Sequence, residues 1–181
     1  MEQKFKFKNG LAVMRAQPPH IGHLKLIKRM LSECELVTLI LGSVQEQGTE
    51  RNPFSYIQRK QMIQAIFKDT PQEERIKIIG LFDINNPAEW AGFVLDFLKE
   101  SMPEREAPDV YYAGSAYDAH WFGRVFDNIQ IENRVDYSFP YVSGSMVRDM
   151  IKIGDRRWKD FVPEAVWPMI EEFASQRKGI L

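Results

Sequence analysis

Two histidines stand three residues apart in Arg15-Ala16-Gln17-Pro18-Pro19-His20-Ile21-Gly22-His23, directly after a short apolar run. Imidazoles at that spacing can donate hydrogen bonds to phosphoryl oxygens, and Gly22 lets backbone approach a ligand closely. If a strand turns into a helix here, the helix N-terminus adds unpaired N–H groups and a partial positive charge, which together favour an anion. With 3 His and 11 Gly among 181 residues, a His-x-Gly-His pattern has a chance expectation of ~0.003. A second constellation, Ser143-Gly144-Ser145-Met146-Val147-Arg148, sets two hydroxyls at a helix start with Arg148 one turn inside. Hydroxyls, open amides and a guanidinium converge naturally on a polyphosphate. Blander readings stand beside these: a histidine pair that caps a helix, or a serine N-cap with a solvated arginine. A metal site from His20, His23 and the distant His120 is a third reading, although no acidic or Cys ligand stands at supporting spacing.

The elements that must position these residues follow from alternating apolar runs and helix-period segments, the pattern of a parallel sheet covered on both faces. Leu11-Ala12-Val13-Met14 reads as a first strand, and Leu24, Ile27, Met30 and Leu31 then repeat at helical spacing. Leu36-Val37-Thr38-Leu39-Ile40-Leu41 and Ile76-Lys77-Ile78-Ile79 supply the second and third strands. Between them, Ser55 and Gln58 have capping-box spacing ahead of the apolar face Met62, Ile63, Ile66 and Phe67. Asn86 as N-cap, Pro87 in the first turn and Glu89 open a helix carrying Trp90, Phe93, Val94, Phe97 and Leu98 on one stripe. Val110-Tyr111-Tyr112-Ala113 before Gly114 is a fourth strand, residues 116–126 a helix and residues 134–139 a short fifth strand. A helix opened by Ser143 is closed by Gly154, and Pro168 predicts a kinked or interrupted last helix in the amphipathic tail from Pro163 onward.

Composition sets the frame. A chain of 181 residues with 44% hydrophobic and 12% aromatic residues builds one α/β domain, with residues 155–181 as a helical appendage. Its 24 Lys and Arg against 25 Asp and Glu give a net charge of −1, which removes the basic excess of extended nucleic-acid binders and leaves any anion to local charge. The single cysteine, Cys34, excludes an intramolecular disulfide and fits a reducing compartment as a buried or half-buried thiol. No apolar run approaches the ~18 residues of a membrane span, so the sequence predicts a soluble cytoplasmic protein without a membrane partner.

Residues 15–23, with Gly42-Ser43-Val44-Gln45, Asn52-Pro53-Phe54-Ser55-Tyr56-Ile57-Gln58-Arg59 and Val142-Ser143-Gly144-Ser145-Met146-Val147-Arg148, resemble motifs of the nucleotidylyltransferase superfamily. Within it the chain is similar to the archaeal-type nicotinamide mononucleotide (NMN) adenylyltransferases over most of its length. It departs from their pattern at Met14, where a glycine usually precedes the arginine, at Gln58, usually acidic, and at Pro87, where asparagine is expected before the substrate-stacking tryptophan. The His-Ile-Gly-His string also occurs in class I aminoacyl-tRNA synthetases, but this chain shows neither their second signature loop nor a tRNA-binding domain.

The resemblance implies a Rossmann-like fold with a parallel sheet of five or more strands, and transfer of AMP from ATP to NMN, giving NAD and pyrophosphate. It implies His20, His23 and Arg148 as catalytic residues, and Arg15, Gln17, Gly22, Gly114, Ser143, Gly144 and Ser145 around the ATP phosphates. Gly42, Ser43, Gln45, Asn52, Arg59, Asp83 and Trp90 would bind the acceptor, Trp90 also having a place on its helix's apolar stripe. Mg²⁺ would be held mainly by substrate phosphates and water, and the small-molecule enzyme would form a homo-oligomer. Another phosphorylated acceptor such as phosphopantetheine, and a non-catalytic nucleotide-binding regulator, are the alternative readings.

Overall fold

Aliphatic and β-branched runs become neighbouring parallel strands in the computed structural model, which describes residues 4–132 and 138–178. The strands are β1 (Phe7–Met14), β2 (Cys34–Leu41), β3 (Ile76–Gly80), β4 (Val110–Ala113) and β5 (Ile129–Ile131), in the spatial order β3-β2-β1-β4-β5. Every pairing is parallel, so the chain crosses over through helices. The crossover helices are α1 (Ile21–Glu33), α2 (Tyr56–Phe67), α3 (Pro87–Ser101) and α4 (Ala116–Phe122), and α5 (Gly144–Lys152) and α6 (Trp167–Lys178) follow the last strand.

Strand periodicity sends alternate residues to opposite faces. Ala12, Leu39, Leu41 and Tyr112 pack with Ile27 and Met30 of α1 and with Ile63 and Phe67 of α2. Leu11, Ile40 and Tyr111 pack on the other face with Val94 and Leu98 of α3 and Phe122 of α4. A third cluster of Phe54, Met62, Val147, Trp158, Val162, Val166 and Ile170 binds the C-terminal segment to α2 and α5. The observed architecture is the expected α/β Rossmann-like one, with helices on both faces of a five-stranded parallel sheet.

Several boundaries differ from the sequence reading, each for a physical reason. β1 begins at Phe7 rather than Leu11 because tertiary partners satisfy its polar start: Asn9 Nδ2 donates to Glu106 O at 2.6 Å, and Asn9 N donates to Asp109 Oδ1 at 2.9 Å. The fifth strand is Ile129–Ile131, three residues only, paired to β4. Of the span expected for it, residues 134–137 lie outside the described residues, and Ser138 and Phe139 form a turn. α4 stops at Phe122, capped by Gly123, and Phe126 folds back beneath it. Pro168 does not kink the last helix: it sits in the first turn of α6, where its missing donor has no intrahelical role, after two short 3₁₀ turns. Asn86 occupies the N-cap of α3 but its side chain makes no capping bond.

One long-range contact fixes how the turn after β1 meets α2. Gln17 is 2% exposed; its Nε2 donates to Phe54 O at 2.8 Å and its Oε1 accepts from Phe54 N at 2.9 Å. At the other end of the sheet, burial pushes the Cys34 thiol up to about 11, and the Tyr112 hydroxyl beside it donates to Glu33 Oε2 at 2.7 Å.

Two outcomes follow. Gln17→Ala leaves the N–H and C=O of Phe54 buried and unpaired, for an expected loss of about 1–3 kcal/mol per group in denaturant unfolding; a loss below about 0.5 kcal/mol would contradict the pairing. A Cβ at Gly10 would lie 2.7 Å from Cys34 Sγ, so Gly10→Ala should cost about 1–3 kcal/mol by overpacking. Removing the sulfur as well, in Gly10→Ala/Cys34→Ala, should leave the double variant less destabilised than the sum of the single changes; strict additivity would refute the clash.

Candidate active site

Strands leave β1 toward β2 and β3 on one side and toward β4 and β5 on the other, so the carboxyl edge between β1 and β4 is the topological switch point, where ligands bind in open α/β sheets. A cleft of about 470 Å³ opens there. His20, His23, Arg148, Arg15, Gln17, Gly22, Gly114, Ser143, Gly144 and Ser145 all line it, drawn together from the turn after β1, the end of β4 and the start of α5.

The two histidines form the capping box of α1, occupying the places that a Ser and a Glu hold elsewhere. His20 Nδ1 accepts from Gly22 N at 3.2 Å, and His23 Nδ1 accepts from His20 N at 3.2 Å. With each Nδ1 used as an acceptor, the proton of a neutral ring is assigned to Nε2. The rings lie 3.8 Å apart between centroids. The first-turn amides and two Nε2–H groups thus belong to one short stretch of chain.

At α5, Ser143 Oγ accepts from Met146 N at 3.2 Å and caps the helix. Arg148 folds back over the first turn: Nη2 donates to Ser145 Oγ at 3.0 Å and Nη1 to Gln17 O at 2.9 Å. Gly144 makes room for this, since a Cβ there would lie 3.1 Å from Arg148 Nη1 and 3.3 Å from Gln17 O. Burial lowers the pKa of the Arg148 guanidinium from its ordinary value; Asp149 opposes this, while the positive charges of Arg15 and Arg51 push the same way. The cleft therefore concentrates like charge, which an anion would relieve.

Arg51, Lys25, Phe139 and Tyr141 also line the cleft and were not singled out in the sequence. Arg51 carried a readable signal, as the cation immediately before Asn52-Pro53-Phe54-Ser55. Lys25 pairs with Glu132 at 3.3 Å and lies over the Phe139 ring at 4.8 Å, contacts no local pattern announces.

The residues expected around an acceptor lie beyond β2 and β3, outside this cleft. Ser43 Oγ donates to Asp83 Oδ2 at 2.5 Å and Ser43 N to Asp83 Oδ1 at 3.3 Å. Gln45 Oε1 accepts from Asp83 N at 3.2 Å, so Ser43, Gln45 and Asp83 form one cluster with Gly42 against it. Trp90 is half-buried against Phe93, and Phe82, half exposed beside Asp83 in the chain, meets Phe93 edge-on at 5.3 Å. Asn52 is buried; its N–H donates to Thr49 Oγ1, its side-chain amide donates to Glu46, and its Oδ1 has no hydrogen-bond partner among the described residues. Arg59 is buried as well, with its donors directed at backbone carbonyls rather than at either opening. Among the described residues no three His, Cys, Asp or Glu stand close enough to ligate a metal ion, and no helix is long and apolar enough to cross a membrane.

Comparison with known proteins agrees with this geometry. Residues 12–150 match the cytidylyltransferase-like family. The nicotinamide-nucleotide adenylyltransferase of Thermococcus kodakarensis is 31% identical over 174 residues, covering 96% of this chain and 85% of that protein. That of Saccharolobus solfataricus is 31% identical over 173 residues, covering 93% of both. Among solved structures, a bifunctional NMN adenylyltransferase/ADP ribose pyrophosphatase from Francisella tularensis superposes with a TM-score of 0.74 at 17% identity, over 93% of this chain and 50% of that one. The Plasmodium falciparum nicotinic acid mononucleotide adenylyltransferase gives a TM-score of 0.60 at 12% identity, over 92% and 96%. The chain belongs to the cytidylyltransferase-like family, alongside relatives that are nicotinamide-nucleotide adenylyltransferases.

Proposed function

We propose that this protein is a nicotinamide-nucleotide adenylyltransferase, transferring AMP from ATP to NMN with release of pyrophosphate. The observation that carries the reading is the meeting of the α1 and α5 N-termini, two histidines and three arginines in one cleft at the switch point, next to the Ser43–Asp83 cluster. Relatives of that activity, matched over most of both chains, support it.

In the reaction, an oxygen of the NMN 5′-phosphate forms a bond to the α-phosphorus of ATP, and the bond from that phosphorus to the bridging oxygen breaks, the electron pair leaving with pyrophosphate. A phosphate monoester with a second pKa of about 6 is largely dianionic at pH 7, so no side chain must remove a proton to activate it. The barrier is repulsion between polyanions and the charge that develops on the leaving oxygen; catalysis is positioning and electrostatics. His20 and His23 would donate from Nε2 to the α-phosphoryl oxygens. Arg15, Arg51, Arg148, Ser143 and Ser145 would hold the β and γ phosphates, and Gln17 would fix the turn that carries them. Asp83, oriented by Ser43 and Gln45, would accept from the nicotinamide amide, with Trp90 as its stacking partner. Arg15, Arg51 and Arg148 line the cleft beside a single carboxylate among the described residues, Glu132, which is paired with Lys25, so a Mg²⁺ ion would arrive on the nucleotide and offset part of its charge.

Incubation with ATP, Mg²⁺ and NMN should yield NAD and pyrophosphate in equal amounts by mass-resolved analysis. Conversion of phosphopantetheine instead, or of no acceptor, would overturn the assignment. His23→Ala and Arg148→Ala should each lower turnover 10²–10³-fold, about 3–4 kcal/mol of transition-state stabilisation, in protein with unchanged circular dichroism. Near-normal turnover in either would remove that residue from the chemistry.

A further inference from the structure

The last ladder bond between β1 and β2 is Gly42 N to Met14 O at 3.0 Å. Beyond it the two strands turn apart, and Arg59 of α2 supplies what the ladder no longer can. Its Nη1 donates to Arg15 O at 2.7 Å and to Gly42 O at 2.8 Å, while Nη2 reaches Ser43 O at 3.5 Å and Nε reaches Ser55 O at 3.4 Å. The side chain is 0% exposed, so it presents no donor to solvent or to a substrate. Each turn it ties contains a non-glycine residue in the left-handed region, Ala16 at φ 50° and Ser43 at φ 54°. Such conformations persist where surrounding contacts over-determine them. The first turn carries Arg15, which lines the cleft, and the second carries Ser43, which holds Asp83.

We infer that Arg59 is a positioning residue: it sets the span between the phosphate-holding turn after β1 and the acceptor-holding turn after β2, aligning attacking oxygen and α-phosphorus without touching either substrate. This rests on the adenylyl-transfer reading above. A cross-link of this kind governs the distance between two half-sites more than the affinity of each. Misplacement of reacting groups by about 1 Å costs on the order of 10² in rate.

The test separates binding from turnover. In Arg59→Met, dissociation constants for a non-hydrolysable ATP analogue alone and for NMN alone, by calorimetry, should stay within about threefold of wild type while kcat falls about 100-fold. Arg59→Lys, whose single nitrogen can replace Nη1 at Arg15 O and Gly42 O but not Nη2 at Ser43 O or Nε at Ser55 O, should recover about 10–30-fold of that loss and stay about 3–10-fold below wild type. A kcat within about threefold of wild type in Arg59→Met, or a loss that appears in one dissociation constant, overturns the positioning role. Should Arg59→Met not fold, Arg59→Lys alone decides: kcat about 3–10-fold lower with both affinities unchanged supports the role, and wild-type kcat or weakened binding overturns it. The wild-type arm reports separately on the underlying reaction, since no NAD from wild type overturns both readings, whereas an anomalous variant overturns only this one.

Discussion

Backbone groups at the carboxyl end of β1 lose their ladder partners when the chain turns toward α1, and the way each is satisfied organises the site. A buried backbone group left unpaired costs about 1–3 kcal/mol, so these partners are requirements of folding. Arg15 O is taken by Arg59, Gln17 O by Arg148, and the amides at the head of α1 by the histidine rings. The Gln17 side chain in turn pairs with both backbone groups of Phe54. One turn of chain is thereby tied to β2, α2 and α5 at once. The same contacts that allow the strand to end carry Arg15, His20, His23 and Arg148 to one opening.

Charge is arranged against the same background. The chain as a whole is almost neutral, at −1, yet the positive charges of Arg15 and Arg51 both act on Arg148 in the cleft. Their mutual repulsion is a cost in the free protein that polyphosphate would offset, and helix N-termini add to the attraction without further cations. In the proposed reaction this division is natural: the nucleotide brings the negative charge, the protein brings fixed positive ends, the cleft carboxylate Glu132 is held by Lys25 and Arg29, and Asp83 serves the acceptor side.

What was legible in the sequence was local. The α3 start at Asn86-Pro87 and the Ser55–Gln58 capping box depend on residues within one turn, and both elements are found where the pattern put them. The cleft-lining residues from residue 15 to 23 and from 143 to 148 were legible because strand-to-helix junctions are local too. β5 was misplaced because three residues carry too little alternation, and the polar start of β1 was missed because its partners lie about a hundred residues away. Arg59 reads from the family resemblance as an acceptor contact. Yet its spacing from Met62 and Ile63 places it on the buried stripe of α2, a signal that was available. The Gln17–Phe54 pair had no such signal, since only the assembled sheet brings a turn and a loop 37 positions apart into contact.

In the proposed reaction alignment and electrostatics suffice, with one direct displacement at the α-phosphorus and no covalent enzyme intermediate. The stereochemical course of the reaction tests that directly, using ATP made chiral at the α-phosphorus by sulfur substitution and reading the configuration of the dinucleotide formed. A single in-line displacement predicts inversion. Net retention would contradict the account, because it requires two displacements and therefore an adenylylated side chain that the positioning mechanism has no place for.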